Sequence, residues 1–148
     1  MKRIIMIVGL VVAAVLVLAS CSAPPKPSIV SHGGPVRDYV SFIDNLRAKG
    51  ATVEPASEVE QPFFSVKGNV IKVNGEDVQV FEFASPDVAK VEADTVPPDG
   101  TSFATIMITW IAPPHFYRTE KIIVLYVGNT QATKDLLVSL LGPQFAGR

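Results

Sequence analysis

Phe63-Phe64-Ser65-Val66-Lys67-Gly68-Asn69-Val70-Ile71-Lys72-Val73-Asn74-Gly75-Glu76-Asp77-Val78-Gln79-Val80-Phe81-Glu82-Phe83 reads as a β-hairpin. It sets two runs rich in Val, Ile and Phe on either side of an Asn-Gly pair. Asn-Gly supplies the positive backbone angles of a type I′ turn, whose twist suits a β-hairpin. With Asn74 and Gly75 as the two loop residues, Val73 faces Glu76, Lys72 faces Asp77, Ile71 faces Val78 and Gly68 faces Phe81, with Lys67 opposite Glu82 and Val66 opposite Phe83. This register pairs opposite charges twice and lays an aromatic ring over a residue that has no side chain. A four-residue loop would shift the pairing by two, so each side chain keeps its face under either turn.

Outward from the hairpin the pattern alternates helix and strand. Pro35 to Gly50 carries Val36, Tyr39, Val40, Ile43 and Leu46 at helical spacing, with Pro35 suited to a first turn and Gly50 to a left-handed cap. Ala51 to Glu54 predicts a short strand and Pro55 to Glu60 an acidic loop. Ser85-Pro86-Asp87 opens a second helix with a capping hydroxyl, Pro at the first position and an acid in the first turn. After the break at Val96-Pro97-Pro98-Asp99-Gly100, Ser102 to Ile111 predicts a strand. Lys121 to Val127 is a continuous apolar run, the pattern of a central strand covered on both faces. Asn129-Thr130 caps a third helix with Ala132, Leu136, Leu137, Leu140 and Leu141 inward, stopped by Gly142-Pro143. The expected fold class is α+β: a two-layer sandwich with a mainly antiparallel sheet and about three helices on one face. The recurrence of strand, cap and helix at 78–93 and 122–141 adds the expectation of a weak internal β-α duplication.

Composition is distorted by the first twenty residues. Of 148 residues, 13 are Lys or Arg, 14 are Asp or Glu, one is Cys, and 48% are hydrophobic. Without Lys2 and Arg3 the remainder holds 11 basic residues against 14 acidic ones, a formal charge of −3. An acidic balance without a basic cluster argues against nucleic acid as a partner, and a single Cys excludes a disulfide scaffold. Met1-Lys2-Arg3, the apolar run from Ile4 to Val17, and Leu18-Ala19-Ser20 together form the three regions of a secretion signal. The competing reading, an uncleaved membrane anchor, needs about 20 apolar residues, and this run is shorter. Ser22 to Pro35, with four Pro and Gly33-Gly34, reads as an extended tether. Its His32 has no second ligand nearby and is read as solvated.

Leu18-Ala19-Ser20-Cys21 resembles the lipobox of bacterial lipoproteins. The resemblance implies cleavage before Cys21, a diacylglyceryl thioether on its sulfur, and often acylation of the new amine, as by palmitate. The organisation implied is a signal peptide over 1–20, a lipidated Cys and tether over 21–35, and one α+β domain over 36–148. Acylation would also remove the liability of a free thiol in an oxidising compartment. Glu60-Gln61-Pro62-Phe63-Phe64, Val73 to Val80 and Trp110 to Tyr117 are similar to segments of small bacterial envelope lipoproteins of uncharacterised role, a likeness that carries over no catalytic residue.

Motifs for chemistry are few. Neither GxGxxG nor GxxxxGK[ST] nor GxSxG occurs, and His32 and His115 are the only histidines. No cofactor, metal or catalytic residue is assigned. The remaining candidate is Trp110-Ile111-Ala112-Pro113-Pro114-His115-Phe116-Tyr117-Arg118, read as a Pro-Pro corner that cannot pair as sheet. Trp110, His115, Phe116, Tyr117 and Arg118 there form a candidate contact surface for an envelope protein, a glycan or a lipid headgroup. The competing reading is that the corner folds back and buries Trp110 and Phe116, with Gln61-Pro62-Phe63-Phe64 packing beside it. The expected function is a membrane-anchored, extracytoplasmic, non-catalytic binding or accessory domain. Two alternatives are an envelope hydrolase using His115, which requires a pocket of several hundred Å3 beside it, and a structural spacer.

Overall fold

The computed structural model describes residues 34–148. The expected signal peptide, Cys21, His32 and all but the last two residues of the tether lie outside the described residues. In chain order the elements are α1 (Tyr39–Ala48), β1 (Val53–Val59), β2 (Gly68–Val73), β3 (Glu76–Glu82), α2 (Pro86–Asp94), β4 (Ser102–Phe103), β5 (Ile106–Met107), β6 (Pro114–Thr119), β7 (Ile122–Val127), α3 (Gln131–Leu141) and β8 (Ala146–Gly147).

The β2–β3 hairpin has the expected two-residue loop: Val73 opposes Glu76, Lys72 opposes Asp77, Ile71 opposes Val78 and Gly68 opposes Phe81. Asn74 and Gly75 have φ of 51° and 90°, as a type I′ turn requires. A Cβ on Gly68 would lie 2.6 Å from the Phe81 ring, so the ring takes the space a side chain would occupy. Lys72 Nζ reaches Asp77 Oδ1 at 2.8 Å. The ladder ends at Gly68, one residue short of the expected Lys67–Glu82 pair. Lys67 bonds Glu60 and Glu82 bonds Lys121, both at 2.6 Å.

The main sheet has six strands in the order β1-β2-β3-β7-β6-β8, every neighbouring pair antiparallel. β4 and β5 form a separate two-stranded hairpin. The α+β class with an antiparallel sheet stands, but the helices do not share one face. Ile122, Val124 and Tyr126 of β7 point into a core with Phe42 and Leu46 of α1 and Leu137 and Leu141 of α3. Ile123 and Leu125 point the other way, against Ala89 and Ala93 of α2 and a cluster of Phe side chains. The reason is β7 itself: Ile122 to Tyr126 are all fully buried, and alternating side chains need apolar cover on both sides. The two strand-then-helix units therefore send their helices to opposite faces.

Element boundaries show which local signals prevail. α1 begins at Asp38, not Pro35, because the Asp38 carboxylate accepts the Ser41 N–H and the Ser41 hydroxyl accepts the Asp38 N–H, closing a capping box. The Ser41 hydroxyl and N–H hold the Asp38 carboxyl below its usual pKa. At the far end the N–H groups of Gly50 and Ala51 bond Arg47 and Leu46 carbonyls, as the Gly50 cap predicts. The Tyr39 N–H donates to Glu82 Oε2 at 3.0 Å, so the carboxylate that pairs with Lys121 also fastens the helix start to the sheet. α2 runs from the Ser85 cap through Pro86 as its sequence implies. The acidic loop expected over 55–60 is instead most of edge strand β1, bulged between Pro55 and Ser57. The single strand expected over 102–111 is the short β4–β5 hairpin, turned at Ala104 with φ of 43°.

Gly75→Val is expected to destabilise the domain by about 1 kcal/mol or more, because a β-branched residue is strained at positive φ. Denaturant melts check this, and a midpoint equal to wild type would contradict the turn.

Candidate functional site

Pro113-Pro114 starts a strand where the sequence suggested a break. Pro114 takes the first position of β6, where a missing N–H costs least, and its carbonyl accepts the Arg148 N–H at 3.0 Å. β6 pairs with β7 through six residues and with β8 through His115–Gly147 and Phe116–Ala146. The contact-surface expectation therefore fails for His115, Phe116 and Tyr117, which are buried at 3%, 0% and 1% exposure. Arg118 is half-buried, and so is Trp110, whose Nε1–H donates to the Gly100 carbonyl at 2.7 Å.

Phe116 is the hub of the buried aromatic cluster. The rings of Phe63, Phe103, Trp110 and Phe145 lie between 6.2 and 6.4 Å from it, centroid to centroid. Phe63 stacks on Phe103 at 3.9 Å and meets Phe64 edge-on at 4.8 Å, so the second aromatic segment does pack beside the first. The corner is folded back and fastened by hydrophobic burial.

Strand alternation turns His115 and Tyr117 to the opposite face of β6, where they form the floor of a cleft of about 380 Å3. Gln131, Lys134, Asp135 and Val138 of α3 form one wall; Pro143, Gln144 and Arg148 form the other. The cleft lies where α3 packs over β6 and β8, only two residues long, closes the edge of the sheet. His115 Nδ1 lies 2.7 Å from Gln144 Oε1, and Nε2 lies 3.1 Å from the Gly128 carbonyl oxygen. In the neutral ring Nε2–H donates to that carbonyl and Nδ1 accepts from the Gln144 amide turned to present its NH2. Its ring stacks on Tyr126 at 6.0 Å. His115 thus ties the chain terminus to the end of β7.

Tyr117 differs from His115 in that its hydroxyl makes no hydrogen bond to any described residue, although the side chain is buried. Its neighbour Tyr126 donates to Glu76 Oε2 at 3.2 Å and accepts the Thr130 N–H. Burial, followed by the Tyr126 hydroxyl and the Asp135 carboxylate, pushes the Tyr117 phenol above its usual pKa, so at neutral pH it is a hydrogen-bond donor. Asp135 accepts the Gln131 amide at 2.7 Å, while Lys134 and Arg148 form no ion pair among the described residues.

The volume that the hydrolase alternative required is present beside His115, but both ring nitrogens are bonded within the protein, and the cleft lining contains no Ser, Thr or Cys. Among the described residues no three His, Cys, Asp or Glu side chains converge as a metal site, and no described helix is long and apolar enough to cross a membrane. The arrangement offers recognition: one buried donor, two cations, one carboxylate and two amides around a half-open volume. Gln131, Lys134 and Asp135 come from α3 and Gln144 and Arg148 from the segment after it, and the one signal for the site in the sequence is the alternation that puts His115 and Tyr117 on one face. Compared with known protein families, with curated proteins and with solved structures, the chain matches none.

Two substitutions on adjacent residues should separate packing from recognition. Phe116→Ala is expected to cost about 3 to 5 kcal/mol in a denaturant melt. Tyr117→Phe removes a hydroxyl with no internal partner, and its melting midpoint is expected to equal or exceed that of wild type.

Proposed function

We propose that the protein is a bacterial envelope lipoprotein, held by an acylated Cys21 on the extracytoplasmic side of a membrane, whose folded domain is a non-catalytic binding or accessory module. The anchor rests on Leu18-Ala19-Ser20-Cys21 behind a charged and then apolar leader. The binding role rests on one observation above the others, the Tyr117 hydroxyl. A buried donor left without an acceptor costs about 1 to 3 kcal/mol, and a ligand in the cleft would recover it. The committed His115 nitrogens support recognition over catalysis, since a general base needs a nitrogen free to accept a proton from substrate. An envelope protein segment or a glycan supplies suitable acceptor oxygens, and Lys134 and Arg148 favour one that carries negative charge.

Metabolic labelling with a palmitate analogue tests the anchor. Wild-type chain is expected to take up label, and Cys21→Ala to take up none and to retain its leader. Equal incorporation in the variant would end the assignment.

A further inference from the structure

The aromatic face carries a surface that its core packing does not explain. Between Asp99 and Arg118 the chain has no Asp, Glu, Lys or Arg. Most of that stretch packs inward, yet Ile106, Met107 and Ile111 are 45%, 79% and 100% exposed. Met107, Ile108, Trp110, Ala112 and Pro113 also line an open groove of about 450 Å3, with Arg148 at its edge. Ile106 turns to a separate cavity beside Phe63 and Phe103, so the surface on this side is made by Met107, Trp110 and the loop after them. Large apolar side chains left exposed there are the mark of a contact with another apolar phase.

We propose that this surface, with Met107 and Ile111 at its tip, docks on the phospholipid bilayer to which the chain is anchored. The proposal rests on the lipoprotein reading of Cys21. The length of chain between anchor and domain supports this occupant: Cys21 to Gly34 reaches at most about 40 Å at roughly 3.1 Å per residue. A six-residue strand is about 20 Å long, so a chain of that contour length is long enough for the anchored end to be reached from any face of the domain. A tether of that length puts the bilayer at a high effective concentration, and a surface too weak to bind free membranes can then dock.

The chemistry of the patch matches the interface. Trp110 has its N–H satisfied by Gly100 and its ring half-exposed, and Trp is enriched at headgroup depth. Arg148, with no ion-pair partner among the described residues, is placed to meet a lipid phosphate.

Trp110 is the sole tryptophan, so its emission reports this surface alone. Full-length lipidated protein is reconstituted into phosphatidylcholine vesicles whose acyl chains are either plain or dibrominated, and anchoring is confirmed by the mass of the diacylglyceryl thioether. Emission is expected to be quenched in the brominated vesicles, and the quenching lost in Met107→Ser/Ile111→Ser, whose exposed positions leave the melting midpoint unchanged. Anchored protein with equal emission in both vesicles would overturn the docking and leave the anchor standing. Quenching that persists in the double variant would overturn this patch as the contact. A concentration-dependent dimer without quenching would assign the surface to a second copy and overturn the proposal. Protein whose mass shows no lipid would refute the anchor reading itself, identified separately by that measurement.

Discussion

β7 is buried on both faces, and the placement of all three helices follows from that. Ile122 to Tyr126 are fully inaccessible, and five consecutive apolar residues in extended conformation present side chains to two opposite directions. Each direction needs its own cover. One is aliphatic, made by α1 and α3. The other is built around Phe64, Phe81, Phe83, Phe103 and Phe116, with α2 beside them. Aromatic rings suit the second face because the elements over it are short. β4 and β5 have two residues each, and a few large side chains fill volume that a short backbone cannot.

The hairpin was legible down to its register because every local signal in it agreed: turn chemistry, charge pairing and the small residue beneath Phe81. The Ser85 cap was legible for the same reason. The expectation of helices on one face was wrong although the decisive observation was present in the sequence. A continuous run at 122–127 that is covered on both faces requires helices on both sides of the sheet, as α1 and α3 on one side and α2 on the other provide. Pro113-Pro114 misled because a Pro pair ends pairing inside a strand but is compatible with the first position of one. Beyond its first two residues β1 was hidden by Pro55 and Glu58, which read as loop yet are what an exposed edge strand uses to avoid pairing with another chain. β8 is too short to carry any pattern.

The candidate site was illegible for a different reason. Its floor is one face of β6, and its walls come from α3 and from the six residues that follow the Gly142 stop, segments separated from β6 by the whole of β7. What brings them together is the return of the chain after α3, fixed by the Phe145 N–H on the Phe116 carbonyl and by the His115–Gln144 contact. The same strand that buries Phe116 in the aromatic core therefore presents Tyr117 to the cleft. The N-terminus of α3 is held by another long-range tie: the Thr130 hydroxyl donates to Glu76 at 3.0 Å instead of capping its own helix. Glu76 begins β3, so the β2–β3 hairpin also sets where the wall of the cleft stands.

The two proposed surfaces lie on opposite sides of one sheet, and this separation makes them compatible. Ile106, Met107 and Ile111 belong to the segment over the aromatic face, whereas His115 and Tyr117 look out from the aliphatic one. Arg148 lines both the groove and the cleft, marking the edge where the faces meet. A domain resting on a bilayer through the hairpin would thus keep the cleft directed away from the lipid, open to whatever moves along the membrane surface. Docking would also limit the orientations that the tether permits, and so reduce the entropy lost when a second partner is engaged. If both proposals hold, the bilayer contact would contribute to binding in the cleft by pre-orienting it, with Arg148 the one residue that lines both surfaces.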